Sequence, residues 1–396
     1  MKSILHQALD RTGTDSVKWD GLERWFHLKS DVLPLWVADI DVRTAPAISE
    51  ALTARAATGE FGYTLFSRDA QRAVSDWYSR RHDVEFDPNH VLFSSGVVPG
   101  LTHIVEALTE EGDGVVIQSP VYPPFHELVT GLKRELLDAP LIQVNGHYEM
   151  DFDALEAAMR QAKLFLLCSP HNPVGRVWSE SELTRVVELA RVHDVIIVAD
   201  EIHADLTYPS QHHVAIGRLD DRVITVSAPS KAFNIAGLFA SYIVCPDDAW
   251  RKRIIQVQNK HHVLPTPFAN TAIIAAYTDP RAERWLDQLT AELEEQAQYV
   301  VGRFRESMPY LTCFMPEASY LLWIDFEALG LEPDARKKWL QDDVRIFLSP
   351  GTTFGESGRT FERLNFGTRR ALVDEALERL IRQGDGNEQR AGNAFV

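Results

Sequence analysis

Short, unbroken apolar runs recur through the middle of the chain. They are Val91-Leu92-Phe93, Val115-Val116-Ile117, Leu164-Phe165-Leu166-Leu167-Cys168, Val195-Ile196-Ile197-Val198-Ala199, Val223-Ile224-Thr225-Val226 and Tyr242-Ile243-Val244-Cys245. None shows the every-second-residue polarity of a half-solvated sheet, so each reads as a strand covered on both faces. Helical patterns lie between them, over 98–110, over 123–131, and from a capping box at Ser179 and Glu182 to about His193. Two more precede them, over 46–58 and 69–82. The alternation predicts an α/β fold with a largely parallel sheet between helices.

The pattern changes after residue 280. Leu286, Leu289, Leu293, Ala297, Val300 and Phe304 recur at helical spacing and predict one long amphipathic helix over 281–307. Strand-like runs at 320–326, 345–348 and 364–366 and a helix over 370–383 predict a smaller α+β domain. The first 45 residues read as a polar arm with scattered aromatics. Within it, Leu35–Asp41 is either a strand end facing a pocket or an arm packed on the body. The division expected is 1–45 arm and part of the small domain, 46–285 large domain, 286–384 small domain, and a polar, disordered tail over 385–396.

The chain has 396 residues and a formal net charge of −17, which argues against nucleic acid and anionic membrane surfaces as partners. Cys168, Cys245 and Cys313 match no metal-ligand spacing, so no metal is expected and packed thiols in a reducing compartment are. No apolar run approaches the roughly 18 residues of a membrane span. No secretory h-region follows Met1, so a cytoplasmic location is expected.

In a doubly wound sheet, ligands bind beyond the carboxyl ends of the strands. Five segments with chemical potential fall there. Ser94-Ser95-Gly96-Val97-Val98 opens a helix whose free N–H groups suit a phosphate. Tyr122, between prolines, can lie flat on an aromatic ligand. Asn172, in Ser169-Pro170-His171-Asn172-Pro173, offers an amide. Asp200, directly after five apolar residues, is costly to bury without a partner such as a protonated pyridine. Ser227-Ala228-Pro229-Ser230-Lys231 ends in a lysine with hydroxyls beside it. Taken singly, each reads as readily as a turn, a cap or a packing residue. Together they fit pyridoxal 5′-phosphate: its phosphate, ring face, O3′, ring nitrogen and aldehyde.

At these motifs the chain resembles fold-type I pyridoxal-phosphate enzymes of the class I/II aminotransferase family, and more narrowly the MalY/PatB cystathionine β-lyase group. The resemblance runs from about Arg11 to Leu380. It is carried by Leu35-Trp36-Val37-Ala38-Asp39, Ser169–Trp178, Asp200-Glu201-Ile202-His203-Ala204-Asp205, Ala228–Leu238, Met315–Trp323 and Arg363-Leu364-Asn365-Phe366-Gly367. It implies a large domain with a mostly parallel sheet sandwiched by helices, plus a smaller α+β domain. Lys231 matches the Schiff-base lysine, Asp200 the partner of the ring nitrogen, Asn172 that of O3′, and Tyr122 the stacking aromatic, with Lys231, Tyr122 and Asp200 the catalytic set. Gly96, Val97, Val98 and Ser230 fall at phosphate positions, and His203 where a tyrosine usually contacts O3′. Arg363 matches the arginine that clamps the substrate α-carboxylate, with Ala38, Tyr63 and Asn172 also at substrate positions. Tyr63 matches a tyrosine reaching the neighbouring subunit's cofactor, which implies a homodimer. Phe239 replaces a phosphate-binding arginine and Ala228 a serine, which leaves the phosphate to backbone N–H groups, Ser230, Tyr63 and Ser227. Trp36, Tyr63, His203, Phe239 and Phe347 are candidates for the side-chain pocket. The implied reaction is α,β-elimination from L-cystathionine or a related cysteine S-conjugate. An aminotransferase, or a regulatory protein-binding role beside the lyase, is the alternative.

Overall fold

The computed structural model describes residues 3–7, 9–144 and 146–392, with side chains through Gly384. Seven strands form the central sheet: β1 (Val91–Ser94), β2 (Gly114–Ile117), β3 (Glu135–Asp138), β4 (Ala162–Cys168), β5 (Ile196–Asp200), β6 (Ile224–Ser227) and β7 (Ser241–Val244). Their order is β1-β7-β6-β5-β4-β2-β3. Only β7 runs against its neighbours β1 and β6; the remaining pairs are parallel.

Alternate residues of each strand serve opposite faces, and both faces are apolar. Leu164, Leu166 and Cys168 of β4 pack with Ile196 and Val198 of β5 under Leu101, Ile104 and Phe125. Phe165, Leu167, Ile197 and Ala199 face the other way, against Leu155, Leu183, Val186 and Val187. The helices responsible are Val97–Leu108 and Pro124–Gly131 on one side, and Phe152–Met159 and Glu180–Val192 on the other. The last carries the complete Ser179–Glu182 capping box.

A second sheet of four strands has the order β8-β9-β11-β10, where β8 is Thr312–Cys313, β9 Leu321–Asp325, β10 Ser349–Pro350 and β11 Phe361–Asn365. All its pairs are antiparallel. Ile346–Phe347 does not join it. That strand pairs in parallel with Leu33–Pro34 of the N-terminal arm. The helix Pro280–Ser307 is continuous through residue 285, and the last helix runs Arg370–Gly392, past Gly384. Of the expected tail, residues 393–396 lie outside the described residues.

The arm is less polar in its setting than its sequence reads. Lys18 is completely buried, with Nζ 2.7 Å from Asp41 Oδ2 and 3.1 Å from the Asp39 carbonyl. Arg11 Nη1 lies 2.7 Å from Asp39 Oδ2. The Asn365 N–H donates to the Leu35 carbonyl, and the Asp41 N–H to the Gly367 carbonyl. The stretch 35–41 is thus an arm bound to the end of β11.

Candidate active site

Because six of the seven strands point one way, the loops after β1, β2, β4, β5 and β6 gather at one edge of the sheet. A cavity of about 280 Å³ opens there. Gly96, Val97, Val98, Tyr122, Asn172, Asp200, His203, Ser230, Lys231 and Ala38 all line it. Gly96 and Lys231, distant in sequence, converge because their strands run parallel, while Ala38 enters from the N-terminal arm.

Asp200 is the last residue of β5 and is 3% exposed. Its Oδ1 accepts from the Ile202 N–H at 3.1 Å. Burial pushes its carboxyl up to about 7, the single hydrogen bond being too little to offset desolvation. Lys231 shares the cavity, and burial pushes its amine down while Asp39 pulls the other way. Its Nζ donates to the Ala38 carbonyl at 2.6 Å, and the Tyr320 hydroxyl donates to the same oxygen at 3.1 Å. Two Asn365 Nδ2 contacts, to the carbonyls of Val37 and Asp39, fix the arm on either side of Ala38.

His203 is 3% exposed, and burial drives its imidazole down to about 3, so the ring is neutral. Its Nδ1 has no partner among the described residues. Tyr122 is largely buried, and desolvation holds its hydroxyl protonated.

Arg363 on β11 reaches the cavity through Asn172. Its Nη1 donates to Asn172 Oδ1 at 3.0 Å, and its Nη2 to the Trp36 carbonyl at 3.0 Å and Ser349 Oγ at 3.1 Å. The guanidinium lies 4.9 Å above the Phe354 ring. Nε is buried without a partner, and no carboxylate is among the hydrogen-bond partners of Arg363 in the described residues. Burial lowers its pKa to about 10. A buried cation with polar neighbours and no counter-ion is able to accept a carboxylate.

Several expected residues stand elsewhere. Ser227 does not face the cavity; its hydroxyl donates to the Glu201 carbonyl at 3.1 Å, because strand alternation turns it into the sheet's interior. Trp36 and Phe347 do not line it either. They stack edge-on at 5.3 Å and both pack on Phe26. Tyr63 is 99% exposed and outside this cavity. Phe239 lines it and is 64% exposed. Sequence reasoning missed Ser241, Ile202 and Ala236 in the lining and Tyr320 and Asn365 behind it. For Ser241 the signal was available: a polar residue opening the apolar run 242–245, adjacent in the sheet to the lysine strand.

The donor set suits pyridoxal phosphate. A carboxyl titrating near 7 with one oxygen lacking a protein donor can face a ring nitrogen. An amine, an amide, an aromatic face and the N-terminus of a 12-residue helix surround the same space. No group of three or more His, Cys, Asp or Glu able to hold a metal occurs among the described residues.

Known proteins agree with this geometry. The family model "Aminotransferase class I and II" matches residues 30–380. Cystathionine beta-lyase PatB of Bacillus subtilis is 40% identical, over 94% of this chain and 97% of that protein. Protein MalY of Escherichia coli is 32% identical over 95% and 97%. The structure of cystalysin from Treponema denticola, which contains pyridoxal 5′-phosphate, superposes with a TM-score of 0.93 at 31% identity, over 98% of this chain and all of that one. The pyridoxal-phosphate-bound C-S lyase from Staphylococcus hominis gives 0.88 at 28% identity, over 96% and 98%. The matched segment holds every cavity residue named above, and on that extent of agreement the chain belongs to the class I and II aminotransferase family.

Proposed function

We propose that this protein is a pyridoxal-phosphate-dependent carbon–sulfur lyase acting on L-cystathionine or a related L-cysteine S-conjugate. With water, cystathionine would yield homocysteine, pyruvate and ammonia. The observation that carries the substrate class is Arg363, a buried guanidinium with no carboxylate partner among the described residues, joined to Asn172 and hence to the cavity. The relatives named for cystathionine β-lyase and C-S lyase activity support the leaving group.

Asp200 would hold the cofactor's ring nitrogen, Asn172 and His203 its O3′, Tyr122 its ring face, and Gly96, Val97, Val98 and Ser230 its phosphate. Lys231 would bond its aldehyde. When bound, the cofactor supplies an electron sink conjugated to the substrate's Cα. Lys231, with its pKa lowered by burial, is the base that removes the Cα proton. The Ala38 carbonyl, 2.6 Å away, gives the free amine a fixed resting place. Arg363 fixes the α-carboxylate, so the Cα–H bond is held toward Lys231. Tyr122 or Lys231 protonates the departing sulfur.

The fully exposed Tyr63 supports a homodimer in which it enters the neighbouring site. The three free, buried cysteines accord with a cytoplasmic location. The proposed division is arm, large domain and small domain, with the active site between the two sheets. Lys231→Ala should lower pyruvate release from cystathionine by at least about 10³-fold, the scale of lost acid–base catalysis. Unchanged turnover in that variant, or glutamate formation from 2-oxoglutarate outrunning pyruvate release in the wild type, would overturn the lyase reading.

A further inference from the structure

The phosphate end of the cavity holds no guanidinium. Phe239 lies eight residues after Lys231 and is 64% exposed. Lys231 is the only Lys or Arg in the cavity lining among the described residues, and its amine is committed to the aldehyde. A phosphate dianion placed there needs other donors. The helix Val97–Leu108 opens toward it, but its third residue is Pro99, which has no N–H.

Strand β7 supplies what is missing. Because β7 alone is antiparallel, its first residue, not its last, reaches this edge. Ser241 pairs with Ser94 of β1, and Tyr242 with Ser227 of β6. Ser241 therefore sits between the start of that helix and the turn carrying Ser230 and Lys231. It is 3% exposed and lines the cavity. The hydroxyl of its neighbour Ser94 is engaged within its own turn, donating to the Gly96 carbonyl at 2.7 Å. A serine lining the cavity beside the helix start can turn its hydroxyl toward an anion placed there.

We propose that Ser241 is a phosphate-binding residue. Its hydroxyl donates to the cofactor's phosphate from the floor of the sheet. With the N–H groups of Val97 and Val98 and the hydroxyl of Ser230, it holds the anion through neutral donors in place of an arginine. The assignment rests on the pyridoxal-phosphate reading above.

The test compares binding of pyridoxal 5′-phosphate and of pyridoxal, which lacks the phosphate, to cofactor-depleted protein by absorbance titration. Ser241→Ala should raise the dissociation constant for pyridoxal phosphate about tenfold, the scale of one hydrogen bond to a charged group. Pyridoxal binding should not change. Ser241→Thr, which keeps the hydroxyl, should restore affinity. Ser241→Cys, close in shape but a weaker donor, should fall between wild type and alanine and gives a second reading if the alanine variant does not fold. Equal weakening of both ligands, or an unchanged constant for pyridoxal phosphate, would overturn the assignment. Failure of the wild type to bind pyridoxal phosphate at all would instead contradict the proposed function.

Discussion

Replacing Asp200 by asparagine in the cofactor-free protein isolates the cost of keeping a carboxylate at the end of β5. The side chain is buried, with one hydrogen bond from the Ile202 N–H. Desolvation is the largest influence and raises its pKa from 3.8 to about 7. The folded state therefore binds the proton more tightly than the unfolded one. This group's contribution is fully present below pH 3.8 and is lost as pH climbs to about 7, after which it is constant. The difference, about 7 minus 3.8, is about 3 pH units; at about 1.4 kcal/mol per unit it amounts to about 4 kcal/mol. Asparagine keeps an oxygen for the Ile202 N–H and does not titrate. Urea unfolding of cofactor-free wild type and D200N, measured from pH 4.5 to 8.5, should show the wild type losing stability relative to the variant up to about pH 7 and no further, within that about 4 kcal/mol total. Subtraction cancels the other titrating groups. With pyridoxal phosphate added, the trend should reverse, because the protonated ring nitrogen pairs with the aspartate and not with the amide. A wild-type-minus-variant difference independent of pH, or one growing in favour of wild type as pH rises without cofactor, would refute the desolvation argument.

Arg363→Ala should lower kcat/KM for cystathionine by roughly 10²-fold, the scale of losing a buried charged hydrogen-bond pair. A decarboxylated substrate analogue should lose much less, as comparing the two kcat/KM ratios would show. Arg336 and Glu362 form an almost fully buried pair at 2.8 Å, yet Glu362 is still pushed up to about 7 by burial. Arg336→Met should destabilise the protein by about 3–5 kcal/mol, and the double variant with Glu362→Gln should recover most of that in denaturant titrations. Gly175, with φ at +74°, follows the Asn172 loop, and a Cβ there would meet Pro316 Cβ at 2.7 Å. Gly175→Ala should destabilise by more than about 1 kcal/mol, measured by urea unfolding, and weaken cofactor binding through Asn172.

The central sheet was legible because buried parallel strands must be apolar on both faces, a pattern that charged surface segments do not mimic. Strand β3, Glu135-Leu136-Leu137-Asp138, escaped notice: it lies at the sheet edge, where charged ends are tolerated and the apolar run is only two residues long. Ile346–Phe347 read correctly as a strand, but its partner, Leu33–Pro34 of the arm, lies more than 300 residues away and nothing in the local sequence marks it. The cavity's floor residues Asp200 and Lys231 stood out as charges beside buried strands. Ser227 misled because hydroxyls carry no sign of which face they take; one register step separates a cavity-lining serine from one spent on the Glu201 carbonyl. Tyr320 and Asn365 act on backbone carbonyls, and local sequence does not mark a long-range carbonyl contact.

The N-terminal arm bears on how this protein can be altered. Arg11 and Lys18 anchor Asp39 and Asp41, and the carbonyl on which Lys231 rests belongs to Ala38, directly before Asp39. Trimming the first twenty residues would sever both anchors while leaving every cavity-lining side chain in place. Such a shortened protein should fold around its two sheets yet hold the Lys231 amine loosely, so under the proposed function the leading segment is not a spare end on which to graft or cut.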